Sequence, residues 1–211
     1  MTVTDVNVVK STIFERPDDA NKGTLGSLLC VCGSYGMAGA AVMSAKGALR
    51  TGIGLAKCAL PRSIYPIVAQ TILESVYYPL SENADGRISK VNVPFLVSES
   101  CKSSATLVGC GLGVCDDTLK IVFSLIENST IPLVLDADAL NCVAKQPEIL
   151  LRKKAPIIIT PHPGEMSRLT GLATPLVNAE RERVALDFAQ KYGVVTVLKG
   201  AGTVIASPNG K

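Results

Sequence analysis

Several features that would point directly to a chemistry are missing from this 211-residue sequence. It has one histidine, and its seven cysteines include no C-x-x-C pair, so no zinc site of the usual ligand spacing can be assembled. An odd number of cysteines, most of them in or beside apolar runs, predicts reduced and mostly buried thiols, as in a cytoplasmic protein, and no disulfide framework. Charged residues make up only 18% of the chain, and the net charge of +3 comes without a basic run. That excludes an electrostatic case for nucleic acid while leaving room for a small anionic ligand. No apolar stretch reaches the ~18 residues of a membrane span. The lead-in, residues 1–22, is polar and mixed in charge without the apolar core of a secretory signal. The glycines at 33, 36 and 39 are not spaced as G-x-G-x-x-G, no Gly-Lys-Ser/Thr follows them, and no G-x-S-x-G elbow occurs.

What is present is a hydrophobic chain, 47% by composition, long enough to bury one sizeable core, so a single domain over residues 1–211 is expected. Short apolar runs rich in β-formers alternate with segments of helical spacing. Strands are predicted at 27–32, 54–60, 71–78, 105–109, 131–135, 155–159 and 194–198, with 204–206 turning back as a hairpin partner. Helices are predicted at 40–49, 63–69, from 93, at 118–127, after 163 and over 176–192, the last with residues 180–183 as a solvated charged face. Residues 81–90 read as a polar loop. This grammar is that of an α/β protein whose mostly parallel sheet is covered on both faces.

The residues able to do chemistry follow the strands. Glycine-rich turns come at 33–39, 109–113 and 199–203, the acids Asp136 and Asp138 follow the 131–135 run, and the turn Thr160-Pro161-His162-Pro163-Gly164 carries the single histidine three residues before Glu165. In an open parallel sheet, loops at the carboxyl ends of strands share one crevice. Glycine turns opening helices present free N–H groups to an anion, but Gly and Ala there serve equally for close helix-on-strand packing. Asp136 or Asp138 can equally cap the helix that follows. A lysine (Lys199) with glycine cradles and carboxylates fits phosphoryl chemistry, in which the protein positions and neutralises phosphates.

The segments 22–55 (KGTLGSLLCVCGSYGMAGAAVMSAKGALRTGIGL), VGCGLG, VLDADALN, TPHPGE and VLKGAGTVIASPNG together resemble the ATP- or ADP-dependent NAD(P)H-hydrate dehydratases, in order and over nearly the whole chain. The resemblance implies a ribokinase-like fold, three-layered α/β/α, and repair of hydrated NADH or NADPH (NADHX, NADPHX). Matching motif to motif, it implies that Ala40, Gly113, His162, Asp136, Asp138 and Asn141 lie on the substrate side. Lys199, Gly200, Ala201, Gly202 and Thr203 would face the phosphates of ATP or ADP, and Glu165 would sit near Mg²⁺. It also implies a homo-oligomer and a separate NAD(P)H-hydrate epimerase in the same pathway. The family pattern continues into a GSGD-type segment whose aspartate is the expected base. No Gly-x-Gly-Asp occurs in residues 1–211, so the base is expected beyond Lys211 and the chain is read as lacking its C-terminal part. A kinase of a small alcohol, and a nucleotide-binding module without turnover, are the alternatives.

Overall fold

The computed structural model describes residues 7, 9, 10, 17–21 and 23–210; most of the polar lead-in lies outside them. Eight strands form one sheet: β1 (Ser27–Val31), β2 (Leu55–Pro61), β3 (Val76–Leu80), β4 (Ala105–Val108), β5 (Leu133–Leu135), β6 (Ile157–Ile159), β7 (Val195–Leu198) and β8 (Val204–Ala206). Their order is β3-β2-β1-β4-β5-β6-β7-β8. All neighbours are parallel except the β7–β8 hairpin. The helices are α1 (Ala38–Arg50), α2 (Tyr65–Thr71), α3 (Val93–Cys101), α4 (Asp116–Asn128), α5 (Asp138–Val143), α6 (Pro163–Thr170), α7 (Thr174–Ala179) and α8 (Arg181–Tyr192).

Strand β1 shows why the sheet is buried on both sides. Leu29 and Val31 point into the larger core with Val108, Leu133, Leu135, Ile157 and Ile159, whereas Cys30 and Cys32 point into a second core with Ala41, Ala45, Cys58 and Val68. A period of two thus feeds two apolar layers, so β1 has no polar face to give up. On the second side Ala41 and Ala45 of α1, one helical turn apart, let the helix backbone come close to the strands. On that same side Leu107, Val134, Ile158, Val195 and Val197 of β4–β7 are only half-buried. Helices therefore cover both faces at β1 and β2, while the edge strand β3, with Val76 and Pro79 exposed, and the face of β4–β7 opposite the main core are covered only in part.

Two predicted elements move. The strand expected at 71–78 begins at Val76, because Thr71 closes α2 by donating its hydroxyl to the Ile67 carbonyl (2.8 Å). The single helix expected over 176–192 is two, α7 and α8, meeting at Glu180 with φ −124°. The break turns Arg181 inward, against the expectation of a solvated 180–183 face. Its guanidinium donates to the carbonyls of Leu198 (2.8 Å) and Lys199 (3.0 Å) at the end of β7.

Strand order reverses between β1 and β4, and the turns after those two strands are bonded to each other: Gly33 N–H donates to the Cys110 carbonyl and the Ser34 hydroxyl to the Gly111 carbonyl, both at 2.8 Å. A crevice at such a reversal is where open α/β sheets bind ligands.

Candidate functional site

The carboxyl ends of five adjacent strands form one rim, stitched by backbone hydrogen bonds. Beyond the Gly33–Cys110 bond, Asp136 N–H donates to Val108 O (3.1 Å), Thr160 N–H to Leu135 O (3.1 Å) and Lys199 N–H to Pro161 O (2.8 Å). Each loop is thereby registered on the one before it, and the predicted site residues fall into two corners of this rim.

The first corner lies over β5, β6 and β7. Lys199 Nζ stands 2.6 Å from Asp136 Oδ1 and 3.9 Å from Glu165 Oε2. Burial works to raise the Asp136 pKa, but hydrogen bonds from Lys199 and Thr160 outweigh it and hold the carboxyl below its ordinary value. The Asp136 carboxylate is therefore the anion against which the Lys199 side chain is aimed. Glu165 is 5% exposed, and its Oε2 accepts the His162 N–H at 2.8 Å. In return His162 Nδ1 accepts the N–H groups of Gly164 (3.0 Å) and Glu165 (3.3 Å). This is a capping box at the start of α6, with Pro163 at the first helical position, where its missing N–H costs nothing. With Nδ1 accepting, the proton of the neutral ring sits on Nε2, 3.4 Å from Glu165 Oε1. The His162 side chain is still half exposed, so one ring face is open to a ligand.

The second corner lies over β1 and β4. Gly113 N–H donates to Asp138 Oδ2 (2.8 Å), Asn141 Nδ2 to Asp138 Oδ1 (3.2 Å), and Arg168 Nε to Asn141 Oδ1 (2.8 Å). Ala40, in the first turn of α1, packs where a side chain on Gly111 would have to go: a Cβ there would come within 2.6 Å of the Ala40 Cβ. No side chain caps α1; the Ala40 N–H turns back to the Met37 carbonyl (3.1 Å), which leaves the N–H groups of Ala38 and Gly39 at the reversal of strand order. Neither Asp136 nor Asp138 caps α5. The N-cap is Ala137, at φ 51° and without a side-chain bond, and the two acids on either side of it serve the two corners separately. A β-carbon held at that φ and at ψ −115° is backbone strain located at the junction of the corners.

The 199–203 turn extends outward from the first corner. The Thr203 hydroxyl closes it on the Gly200 carbonyl (3.1 Å), Ala201 is exposed, and nothing lies within 4 Å of a Cβ on Gly202. An exposed glycine turn beside a lysine fits the phosphates of a nucleotide. A directly coordinated divalent cation fits less well: among the described residues no group of three or more His, Cys, Asp or Glu could hold one, and Glu165 is engaged by His162 and Lys199. Four residues of the rim were given no role by the sequence: Thr160 and Cys110, inside the TPHPGE and VGCGLG motifs, stand against Asp136, while Arg181 behind Lys199 and Arg87 over Gly113 lie outside every motif. Only Cys110 and Thr160 adjoin motif glycines or prolines; the two arginines come from distant segments.

Comparison with known proteins shows the family of the chain. The sequence pattern of the NAD(P)H-hydrate dehydratases matches residues 28–211. The chain belongs to that family. It is 39% identical over 196 residues to the bifunctional NAD(P)H-hydrate repair enzyme Nnr of Thermofilum pendens, a match covering 93% of this chain and 37% of that protein. It is 31% identical over 204 residues to the ADP-dependent (S)-NAD(P)H-hydrate dehydratase of Bacillus subtilis, covering 96% and 68%. The chain thus spans little more than a third of the Thermofilum relative and about two thirds of the Bacillus one. A crystal structure of the Bacillus subtilis ADP/ATP-dependent NAD(P)H-hydrate dehydratase, co-crystallised with ATP/Mg²⁺, superposes with a TM-score of 0.79 at 30% identity over 97% of this chain and 68% of that one. A ribokinase-like superfamily protein of Enterococcus faecalis, 19% identical, reaches 0.80, a likeness of fold alone. The fold is ribokinase-like, as the resemblance implied.

Proposed function

We propose that the protein carrying this chain dehydrates (6S)-NADHX and NADPHX to NADH and NADPH at the expense of ATP or ADP. The observation that carries the reading is the Lys199–Asp136 pair at the end of β7 and β5, beside an open glycine turn and a half-exposed histidine, in a chain of this family. The nucleotide supplies a phosphoryl group that turns the hydrate hydroxyl into a leaving group. Lys199 and the 199–203 turn hold its phosphates, with Asp136 fixing the ammonium so that little ordering remains to be done on binding. Ala40, Gly113 and His162 take the hydrated dinucleotide, whose ring lies against the free face of the imidazole. Asp138 and Asn141 keep the Gly113 turn in place beneath it. Glu165 would help to hold the Mg²⁺ with which the Bacillus relative was co-crystallised together with ATP, and the ion would neutralise part of the phosphate charge.

The same reading has the protein working in the cytoplasm as a homo-oligomer, alongside a separate NAD(P)H-hydrate epimerase. All seven cysteines are free, which supports a reducing compartment, and among the described residues no helix is long and apolar enough to cross a membrane. The test is to incubate the full protein with NADHX and either nucleotide and follow the return of NADH absorbance. Failure to recover NADH with both nucleotides rejects the proposal, and phosphorylated product without dehydration assigns a kinase instead.

A further inference from the structure

The loop between β3 and α3, residues 81–90, carries no motif and reads in the sequence as a polar loop. It is tied down at both ends of the crevice. Tyr35 N–H of the first glycine turn donates to the Gly86 carbonyl (2.9 Å), and the Tyr35 Cβ occupies the space a side chain on Gly86 would need. On the other side Asn83 Nδ2 donates to Asp117 Oδ2 of α4 (2.9 Å), and Lys90 N–H donates to Asp117 Oδ1 (3.2 Å). Asn83 in turn brackets Arg87: its Oδ1 accepts the Arg87 N–H (3.1 Å) and its own N–H donates to the Arg87 carbonyl (2.9 Å). The backbone from which Arg87 projects is therefore held through both its N–H and its carbonyl.

From that base the Arg87 side chain lies across the second corner. A Cβ built on Gly113, whose φ is 76°, would come within 2.8 Å of Arg87 Cδ and closer still to Nε. The glycine is what lets the guanidinium stem pass over the turn. Little holds that charge within the protein. Its ion pair to Asp85 Oδ2, at 3.2 Å, involves a carboxylate side chain that is 67% exposed, the kind of pair that contributes next to nothing. The other acids facing the corner are committed: Asp138 to Gly113 and Asn141, Asp117 to Asn83 and Lys90. Cys115, also beside the guanidinium, caps α4. An always-charged planar fork, 31% exposed and mounted on a braced loop, suits bidentate capture of a phosphoryl oxyanion.

We propose that Arg87 is the anion anchor of the substrate corner, binding a phosphate group of the dinucleotide that crosses Gly113. This rests on the reading that a hydrated dinucleotide is the substrate. Two phosphate sources exist in such a molecule: the pyrophosphate, common to NADHX and NADPHX, and the 2′-phosphate, present only in the latter.

The experiment uses the full protein, wild type and with Arg87→Gln and Arg87→Lys. Calorimetry with NADH and with NADPH reads binding, and steady-state kinetics with each hydrate separates KM from kcat. A charge-assisted hydrogen bond lost from the complex corresponds to about a tenfold or greater loss of affinity. Arg87→Gln is expected to weaken binding and raise KM by that factor while kcat stays within about twofold, and Arg87→Lys to recover part of it. Equal losses for both dinucleotides assign the pyrophosphate, and a loss confined to NADPH and NADPHX assigns the 2′-phosphate. Unchanged binding and KM for both, in a variant that melts like wild type, overturns the anchor, as does a fall in kcat alone. A wild-type protein that binds neither dinucleotide overturns the functional reading and the anchor together, an outcome distinct from wild-type binding that Arg87→Gln leaves intact.

Discussion

Replacing Gly109 by alanine tests the rim at its tightest point. Gly109 ends β4 with φ 121°, and its N–H donates to Val31 O (3.1 Å) while its carbonyl accepts from Leu112 (3.1 Å) and Asp138 (3.3 Å). A Cβ there would lie 2.6 Å from the Ala139 Cβ and 2.7 Å from the Ala139 nitrogen, and would overlap the Asp136 carbonyl oxygen. These atoms are backbone or rigidly attached to it, so relief requires moving the 136–139 turn as a body. Holding an L-residue at such a φ costs about 1–2 kcal/mol, and overpacking adds about 1–3 kcal/mol. Two controls divide the total. Gly36, at φ 81°, has nothing within 4 Å of a Cβ, so Gly36→Ala carries the conformational cost alone, about 1–2 kcal/mol. Gly113→Ala meets the flexible Arg87 side chain, which can swing away, so its stability cost falls near that of Gly36→Ala while its effect on dinucleotide binding is larger. Urea denaturation of the three variants is expected to rank Gly109→Ala lowest by about 1–3 kcal/mol. Because the displaced turn carries Asp136, nucleotide affinity falls in the same variant. A Gly109→Ala protein as stable as Gly36→Ala would refute the packing of the 136–139 turn against β4.

Other consequences are more local. Asp136→Asn removes the partner of Lys199; with side chains 26% and 41% exposed the pair is partly screened, so a coupling of about 1 kcal/mol is expected from a double-mutant cycle with Lys199→Met, alongside weaker ADP binding. Since the folded Asp136 pKa lies below its ordinary value, the stability it adds is fully present above an unfolded-state pKa of about 3.9 and lost as pH falls through the folded value. The stability gap between wild type and Asp136→Asn, followed by denaturant titration from pH 7 downward, is thus expected to close below about pH 4. Ala137→Gly relieves a φ of 51° at the cost of a more flexible unfolded chain, so stability rises by up to about 1–2 kcal/mol while turnover drops as the two acids lose their fixed separation; a fall in melting temperature would contradict the strain. With a chromogenic disulfide reagent, exposed Cys101 reacts first. Half-buried Cys115 follows, its thiol held below the ordinary value because contacts from Thr118, Asp117 and Arg87 outweigh burial, whereas Cys30, Cys32, Cys58 and Cys142 wait for unfolding.

How much of this was legible beforehand follows from the range of each interaction. Strand–turn–helix units announce themselves locally: 27–32 ends in glycines, 131–135 in acids, 155–159 in a proline turn, and the structure has a strand and a rim loop at each. Their assembly at one edge of a parallel sheet follows from the alternation itself. Boundaries were less secure where an apolar run outlasts its element, as at Thr71, which alternates like a strand residue but is drawn into α2 by its hydroxyl bond to Ile67. The continuous pattern over 176–192 hid the break at Glu180, because no Pro or Gly marks it; what breaks it is the tertiary reward of putting the Arg181 guanidinium on the Leu198 and Lys199 carbonyls. His162 and Glu165 could be recognised as a pair by spacing, but not as a reciprocal cap, since histidine is an unusual N-cap and the bonding runs through Nδ1.

The two arginines that sequence left unmarked share a physical logic. Each reaches a motif turn from an element far away in the chain, and each does so over a glycine, Arg181 behind Gly200 and Arg87 across Gly113. A Cβ at Gly200, whose φ is 154°, would come within 2.8 Å of the Arg181 guanidinium. The glycines of LKG and VGCGLG therefore do more than permit a turn: they clear a path for a long cation to lie against the backbone. Arg181 spends its charge inward, on carbonyls at the end of β7, and so fixes the turn that carries Lys199. Among the described residues Arg87 has only an exposed aspartate as an ion-pair partner and keeps its charge for the crevice. One geometry thus yields a brace in one corner and a free cation in the other, and the difference is set by which groups the neighbouring loop leaves unpaired.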